Sequence, residues 1–166
     1  MNTDLIYQKI GEFVVSFQWF EHRLREIGWV INDPERKIWP PKDFREESNA
    51  QIISKVESVY INFIKNSILT DKEKKIKDFK NLVLNLNDYR RYRNRLLHSA
   101  FTEVKGGGEI LEIWSTNPKL KYEKGKPIFD TIILTPEKID EVMLKMANDA
   151  FKLNIFYMQA IHLSGC

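Results

Sequence analysis

The chain has 166 residues, 43% hydrophobic and 30% charged, which is enough for one domain with its own core, spanning residues 1–166. One cysteine, three histidines and seven glycines argue against a structural zinc site and a glycine-rich phosphate loop, so we expect neither metal nor cofactor. No run approaches the ~20 apolar residues of a membrane span. No basic stretch followed by an apolar block opens the chain, so we expect a cytoplasmic protein without membrane partners.

The positive charge is concentrated in one segment. Residues 71–98 hold nine Lys/Arg against four Asp/Glu, which leaves a net +5 there and −2 for the rest of a chain whose total is +3. Such a concentration favours a polyanionic partner. For lysines 72–80, a solvated helix face is an equally good interpretation.

The first half of the chain predicts two helices joined by a long loop. Apolar residues recur at helical spacing over 4–32. Three of the six prolines lie in 33–47, which predicts a loop whose Trp39 and Phe44 pack back onto the helices. A second amphipathic helix is predicted over 48–69.

Two further helices are predicted from their start signals. Thr70 and Glu73 have the spacing of a capping box, which begins a third helix over about 70–100. Thr135 followed by Pro136 supplies an N-cap and a first-turn proline for a last helix that ends at about residue 163.

The segment between these helices, 101–134, predicts a β-rich insertion. It consists of strand-like residues 101–105, a triple-glycine turn at 106–108, alternating residues 109–114, a polar loop at 115–127 and a β-rich run at 128–134. The fold class predicted is mainly α: an antiparallel four-helix bundle with a β-hairpin or three-stranded ribbon between helices three and four.

An arginine-rich sequence ends the third helix. At about 100° per residue, Asn87, Arg91, Asn94 and His98 fall within roughly 60° of one another. One polar stripe of the helix therefore contains a guanidinium, two amides and an imidazole.

Arg93 lies instead within the apolar stripe of this helix, where a charge is costly unless it is paired. The stripe contains Leu82, Leu86, Tyr89, Leu96, Leu97 and Ala100. Glu21 interrupts the apolar stripe of the first helix in the same way. We therefore predict that Glu21 and Arg93 are in contact and partly buried. A purely structural salt bridge and a functional site both remain open.

The sequence Arg93-Asn94-Arg95-Leu96-Leu97-His98 has the RNxxxH form of the Arg-x4–6-His motif, and the chain resembles the HEPN domains (higher eukaryotes and prokaryotes nucleotide-binding). The position of the motif late in a long helix and the acidic residue inside the first helix agree with this resemblance. The specific match covers about six residues, and the whole chain is compatible with the fold.

The resemblance implies metal-independent RNA cleavage at the cleft of a symmetric homodimer, where two motifs meet. Arg93 and His98 would be the catalytic pair, with Asn94 orienting the imidazole and Glu21 in support. The arginines that would hold the RNA backbone are Arg90, Arg91 and Arg95. Such a protein would be a toxin or an antiphage effector, with an antitoxin or regulatory protein as a further partner.

Two observations leave alternatives open. HEPN toxins silenced by a nucleotidyltransferase antitoxin often carry a Tyr two residues after the His, whereas Ala100 occupies that position here. HEPN folds without activity also exist, so a non-catalytic module that binds nucleic acid, nucleotide or protein is the alternative. The third interpretation is a helical protein whose only role is dimerisation. Apolar residues would suit the interface of such a protein better than Asn94 and His98 do.

Overall fold

A computed structural model describes residues 3–35, 37–38, 44, 47–118, 121–123 and 125–165. The protein is mainly helical, and the described ranges contain four long helices. They are α1 (Thr3–Asn32), α2 (Asn49–Asn66), α3 (Lys72–His98) and α4 (Pro136–Ser164). The four predicted helices are confirmed, each within a few residues of its predicted ends.

Local side chains and backbone groups explain where the helices begin. Ser48 precedes α2, and its N–H donates to Oε1 of Gln51 at 3.0 Å, which is one half of a capping box. At α4, the hydroxyl of Thr135 accepts a hydrogen bond from the N–H of Lys138 at 3.3 Å, as predicted for the N-cap. The predicted cap of α3 at Thr70 is wrong by one residue. The carbonyl of Asp71 accepts the first helical bond there, since Asp is an equally good N-cap.

Between α3 and α4 lies a small three-stranded antiparallel sheet with the order β1-β2-β5. Its strands are β1 (Ala100–Gly106), β2 (Glu109–Thr116) and β5 (Thr131–Leu134). The tight β1–β2 turn uses Gly107 and Gly108 at φ 61° and 88°, conformations that favour glycine. The three-stranded alternative of the prediction is therefore confirmed.

The prediction of a polar loop over the whole of 115–127 is wrong. Strand β2 extends to Thr116, and the short strands β3 (Lys121–Glu123) and β4 (Lys126–Ile128) pair with each other as a separate two-stranded sheet. Gly125 has φ 77° in the turn between them. Strands of three residues are too short for apolar alternation to show in a sequence.

The chain divides into two compact units. The sheet unit contains residues 1–16 and 91–145, and the helical unit contains residues 17–90 and 146–166. None of the helices in the described ranges is long and apolar enough to cross a membrane.

The core of the helical unit is built around aromatic rings. Tyr60 stacks on Phe79 with ring centroids 4.0 Å apart, and Phe156 meets both rings edge-on. Phe44 is fully buried against Gly28, which confirms that this loop residue packs back onto the helices. Trp39, for which the same was predicted, lies outside the described residues.

The core of the sheet unit joins the start of α1 to the sheet and to the end of α3. Phe13 of α1 meets Tyr92 of α3 edge-on at 5.1 Å, and Tyr7 meets Phe101 of β1 at 6.4 Å. The ammonium of Lys9 lies 2.8 Å from the carboxylate of Asp140, which ties α1 to α4 within this unit.

Candidate functional site

The last turns of α3 carry all three predicted catalytic residues, and all three belong to the sheet unit. Leu96 lies between Arg93 and His98 in the sequence. Its side chain is fully buried, which anchors this end of the helix. His98 is the final helical residue, and its side chain is exposed. An exposed imidazole on an anchored helix end can reach a bound substrate while its backbone stays fixed.

Arg93 and Asn94 are in direct contact. The Nη1 atom of Arg93 donates to the amide oxygen of Asn94 at 3.2 Å. Arg93 is half-buried, as predicted, and its Nε is buried without a hydrogen-bond partner among the described residues. Asn94 therefore orients the guanidinium of Arg93. That Asn94 also orients the imidazole of His98 stays a prediction.

Two members of the apolar stripe predicted around Arg93 are exposed. Leu82, Leu86, Tyr89 and Leu96 are buried, as expected for the inner face of α3. Leu97 is 43% exposed and Ala100 is exposed too, so the prediction was wrong for both. Ala100 starts β1, where helical periodicity no longer applies.

Arg95 is held by the sheet. Its Nη1 lies 2.8 Å from a carboxylate oxygen of Asp130. Its Nη2 donates to the backbone carbonyls of Asp130 at 2.8 Å and Ser115 at 3.4 Å. Both terminal nitrogens of the guanidinium are in use and its Nε is buried, so Arg95 connects α3 to the strands and has few donors left for a phosphate.

Arg90 and Arg91 lie one turn before the motif. Arg90, in the helical unit, is half-buried and donates from Nε to the amide oxygen of Asn87 at 3.3 Å. Asn87 in turn donates to the carbonyl of Val83 at 3.1 Å, so the predicted polar-stripe amide supports Arg90. Arg91 is exposed.

Glu21 has a partner on its own helix. Its carboxylate lies 3.2 Å from Nη1 of Arg25, one turn further along α1. Arg25 also donates to the carbonyls of Phe44 and Glu47, at 3.1 and 3.2 Å, and so holds the segment before α2. Glu21 is partly buried, as predicted. Its pairing with Arg93 would join the two units and stays a prediction.

Tyr92 borders the motif and was not singled out in the sequence. Burial raises the pKa of its phenol, and the nearby Arg95 guanidinium offsets part of that rise. The phenol of Tyr92 therefore stays neutral at physiological pH, and its ring packs on Phe13. Aromatic residues on a helix face are so often core residues that the sequence offered no signal to separate this one.

Asp149, in the helical unit, is a second polar centre that sequence reasoning missed. It is only 2% exposed. Its carboxylate accepts hydrogen bonds from the Tyr89 hydroxyl at 2.8 Å, Asn85 at 2.9 Å and Lys152 at 2.7 Å. Burial and the hydrogen bond to Asp149 raise the pKa of Tyr89 well above its ordinary value. A signal existed, because Asp149 interrupts an apolar stripe of α4.

No protein-family model, no curated protein and no solved structure matched the chain. Over the described ranges, no group of three or more His, Cys, Asp and Glu side chains is placed to hold a metal ion.

Proposed function

We propose that the chain is an endoribonuclease of the HEPN type that cleaves RNA through its own 2′-hydroxyl, without a metal. The observation that carries the proposal is that an exposed imidazole, His98, and a half-buried guanidinium, Arg93, lie on the same anchored helix end. The contact between Arg93 and Asn94 adds to it, because it fixes the direction of the guanidinium.

The chemistry needs only proton transfer and charge stabilisation from the protein. Attack by the 2′-oxygen forms a bond to phosphorus and breaks the bond from phosphorus to the 5′-oxygen. One proton leaves the 2′-hydroxyl and one is delivered to the 5′-oxygen, which gives a 2′,3′-cyclic phosphate and a 5′-hydroxyl. Histidine suits such transfers near neutral pH. The planar guanidinium of Arg93 suits contact with two phosphoryl oxygens.

We propose different roles for the four arginines of the segment. Arg93 is proposed to act on the phosphoryl group, and Arg90 and Arg91 to hold the RNA backbone by charge, without reading sequence. Arg95 is instead proposed to be structural, since Asp130 and two carbonyls occupy its donors.

The proposed assembly is a homodimer of four-helix bundles, with the two-fold axis near the end of α3. A two-fold axis brings identical surfaces together, so two copies of His98 can share the two proton transfers. We further propose that the protein acts as a toxin or antiphage effector under the control of a regulatory protein.

The experiment that tests the proposal uses the full-length chain, EDTA, and a panel of single-stranded and hairpin RNAs. Cleavage with cyclic-phosphate ends is expected, and none is expected of DNA or of RNA with a 2′-deoxy residue at the cut site. His98→Ala should lose about 10²-fold or more in rate while it keeps the thermal unfolding midpoint. His22→Ala is the matched control, since His22 is an exposed histidine on another helix.

Equal cleavage by wild type and His98→Ala, or no cleavage across the panel, would refute the nuclease proposal. The alternative, a non-catalytic module that binds RNA, would then be tested by measuring binding to the same RNAs. It requires that Arg91→Ala weaken binding and lower its salt dependence.

A further inference from the structure

The sheet unit carries a pair of exposed aromatic rings where the start of α1 meets the first strand of the sheet. Tyr7 of α1 and Phe101 of β1 have ring centroids 6.4 Å apart. The two residues are 44% and 37% exposed, whereas Phe13, further along the same helix, is fully buried. Large aromatic side chains usually bury most of their surface in a folded protein. This pair therefore leaves apolar surface available to a ligand.

The geometry of the pair leaves ring faces uncovered. The two rings meet edge-on, at an interplanar angle of 85°. In the helical unit, by contrast, Tyr60 and Phe79 stack with their centroids 4.0 Å apart, so that each covers a face of the other. In an edge-on pair, the edge of one ring points at the face of the other, and each ring keeps at least one face that its partner does not cover. Nucleic-acid bases stack on such faces.

The aromatic pair lies close to the RNxxxH motif. Phe101 follows His98 by three residues, so their Cα atoms are at most about 11 Å apart. The pair and the three predicted catalytic residues belong to the same compact unit. The burial of Leu96 fixes the end of α3 that leads into β1. A nucleotide whose phosphate lies at His98 therefore has a base within reach of the two rings.

The charges around the pair suit a phosphate chain. Arg91 and Arg93 lie in the same unit, the first exposed and the second half-buried. Glu103 lies two residues beyond Phe101, and the ammonium of Lys105 is 3.2 Å from its carboxylate, which offsets its repulsion of a phosphate. Cationic side chains bind the phosphates of any strand, whereas ring faces bind only bases that are free to stack. Together they fit single-stranded RNA, since the bases of a duplex already stack on one another.

We propose that Tyr7 and Phe101 form a stacking subsite for an unpaired RNA base, next to the phosphate at His98. The inference rests on the proposed nuclease function and assigns its preference for single-stranded or looped RNA to two residues. Every base has a π-face, so the subsite selects unpaired nucleotides and reads little sequence.

The test measures binding of the full-length chain to two fluorescently labelled 2′-O-methyl oligoadenylates of about 12 nucleotides, one with its bases and one abasic. The methyl group blocks the 2′-oxygen, so neither strand is cleaved, and both carry the same phosphates. In fluorescence anisotropy, the wild type should bind the strand with bases about tenfold more tightly than the abasic strand. The difference isolates stacking from the phosphate contacts.

Two variants remove a ring and keep an apolar side chain, namely Tyr7→Leu and Phe101→Leu. Each should weaken binding of the strand with bases about tenfold and leave the abasic strand within about twofold. The salt dependence of binding should stay the same, because no phosphate contact is lost. Tyr7→Phe keeps the ring and should bind like wild type. Trp19→Leu is the matched control, since Trp19 is 40% exposed on the same helix but belongs to the helical unit.

Equal binding of the two strands by the wild type would overturn the subsite, as would Leu variants that keep the wild-type preference for bases. Cleavage of unmodified RNA, measured in parallel, separates this failure from failure of the nuclease proposal. Cleavage without a ring-dependent preference refutes the subsite alone, and a ring-dependent preference without cleavage refutes the nuclease alone. Thermal unfolding checks that each variant is folded, and the comparison of Tyr7→Leu with Tyr7→Phe decides the result if Phe101→Leu does not fold.

Discussion

Replacing Arg95 with alanine separates a structural arginine from one that binds RNA. The lost interactions are the contact with the Asp130 carboxylate at 2.8 Å and the hydrogen bonds to two carbonyls. The side chains of Arg95 and Asp130 are 17% and 24% exposed. The pair therefore lies between a surface pair, worth about 0–1 kcal/mol, and a fully buried pair, whose disruption costs about 3–5 kcal/mol.

After a discount for solvent screening, we expect Arg95→Ala to lower the free energy of unfolding by about 2 kcal/mol. For a chain of this size that corresponds to a fall of roughly 4–8 °C in Tm. Urea unfolding followed by circular dichroism measures the change directly. Asp130→Ala should cost a similar amount, and the double variant should show coupling of about 1 kcal/mol or more.

The matched control is Arg91→Ala, which removes an exposed arginine from the same helix. It should leave stability within about 0.5 kcal/mol, while it lowers the salt dependence of RNA binding by about one phosphate contact. The reasoning is refuted if Arg95→Ala keeps the wild-type free energy of unfolding and lowers the salt dependence of RNA binding, while Arg91→Ala is destabilised.

Three further predictions follow from packing and ionisation. Gly28→Ala should destabilise by about 1–3 kcal/mol, because the new Cβ overlaps the Phe44 ring; Gly11→Ala on the same helix meets nothing within 4 Å and should stabilise instead. Asp149→Ala should cost about 3 kcal/mol in urea unfolding, since it leaves the buried Tyr89 hydroxyl and the partly buried Asn85 amide unpaired; a cost below about 1 kcal/mol would contradict the network. Burial raises the pKa of Tyr60 and Tyr89 well above the ordinary 10.0. The unfolded chain then loses these protons first, so stability is full below about pH 10 and falls as the pH rises further, by up to about 1.4 kcal/mol per unit for each tyrosine. A flat profile to about pH 11, or Tyr89→Phe with an unchanged slope, would contradict this.

Apolar periodicity, helix start signals and strand-like residues were together sufficient to predict the four helices and the strands β1, β2 and β5. The helices and β2 bury one face, so their sequences repeat with the period of the backbone, whereas β1 is exposed at every residue except Val104. The start of α3 was misplaced because Thr70 and Asp71 are adjacent and both can cap a helix. The β3–β4 hairpin was missed because its three-residue strands contain no repeat.

The role of Arg95 depends on a residue that is distant in sequence. Its spacing on α3 gives the direction of the side chain, but Asp130 lies in the connection before β5 and reaches Arg95 only through the sheet. From the sequence alone, an arginine in a basic segment is therefore readily predicted to bind RNA. The ion pair that occupies it becomes visible only once the strands are in place.

A charged residue inside an apolar stripe predicts that its side chain is at least partly buried. It does not predict which residue forms the ion pair or hydrogen bond with it. Glu21, Arg93 and Asp149 each interrupt such a stripe, and each is at least partly buried. The prediction that Glu21 pairs with Arg93 assumed that two interruptions satisfy each other. That pairing stays a prediction. The carboxylate of Glu21 has Arg25 one turn away, and the buried carboxylate of Asp149 accepts hydrogen bonds from a tyrosine, an asparagine and a lysine. The side chain of Lys152 is 57% exposed and still reaches the carboxylate of Asp149, which is 2% exposed, so a long side chain can pair with a buried charge while most of it stays in solvent.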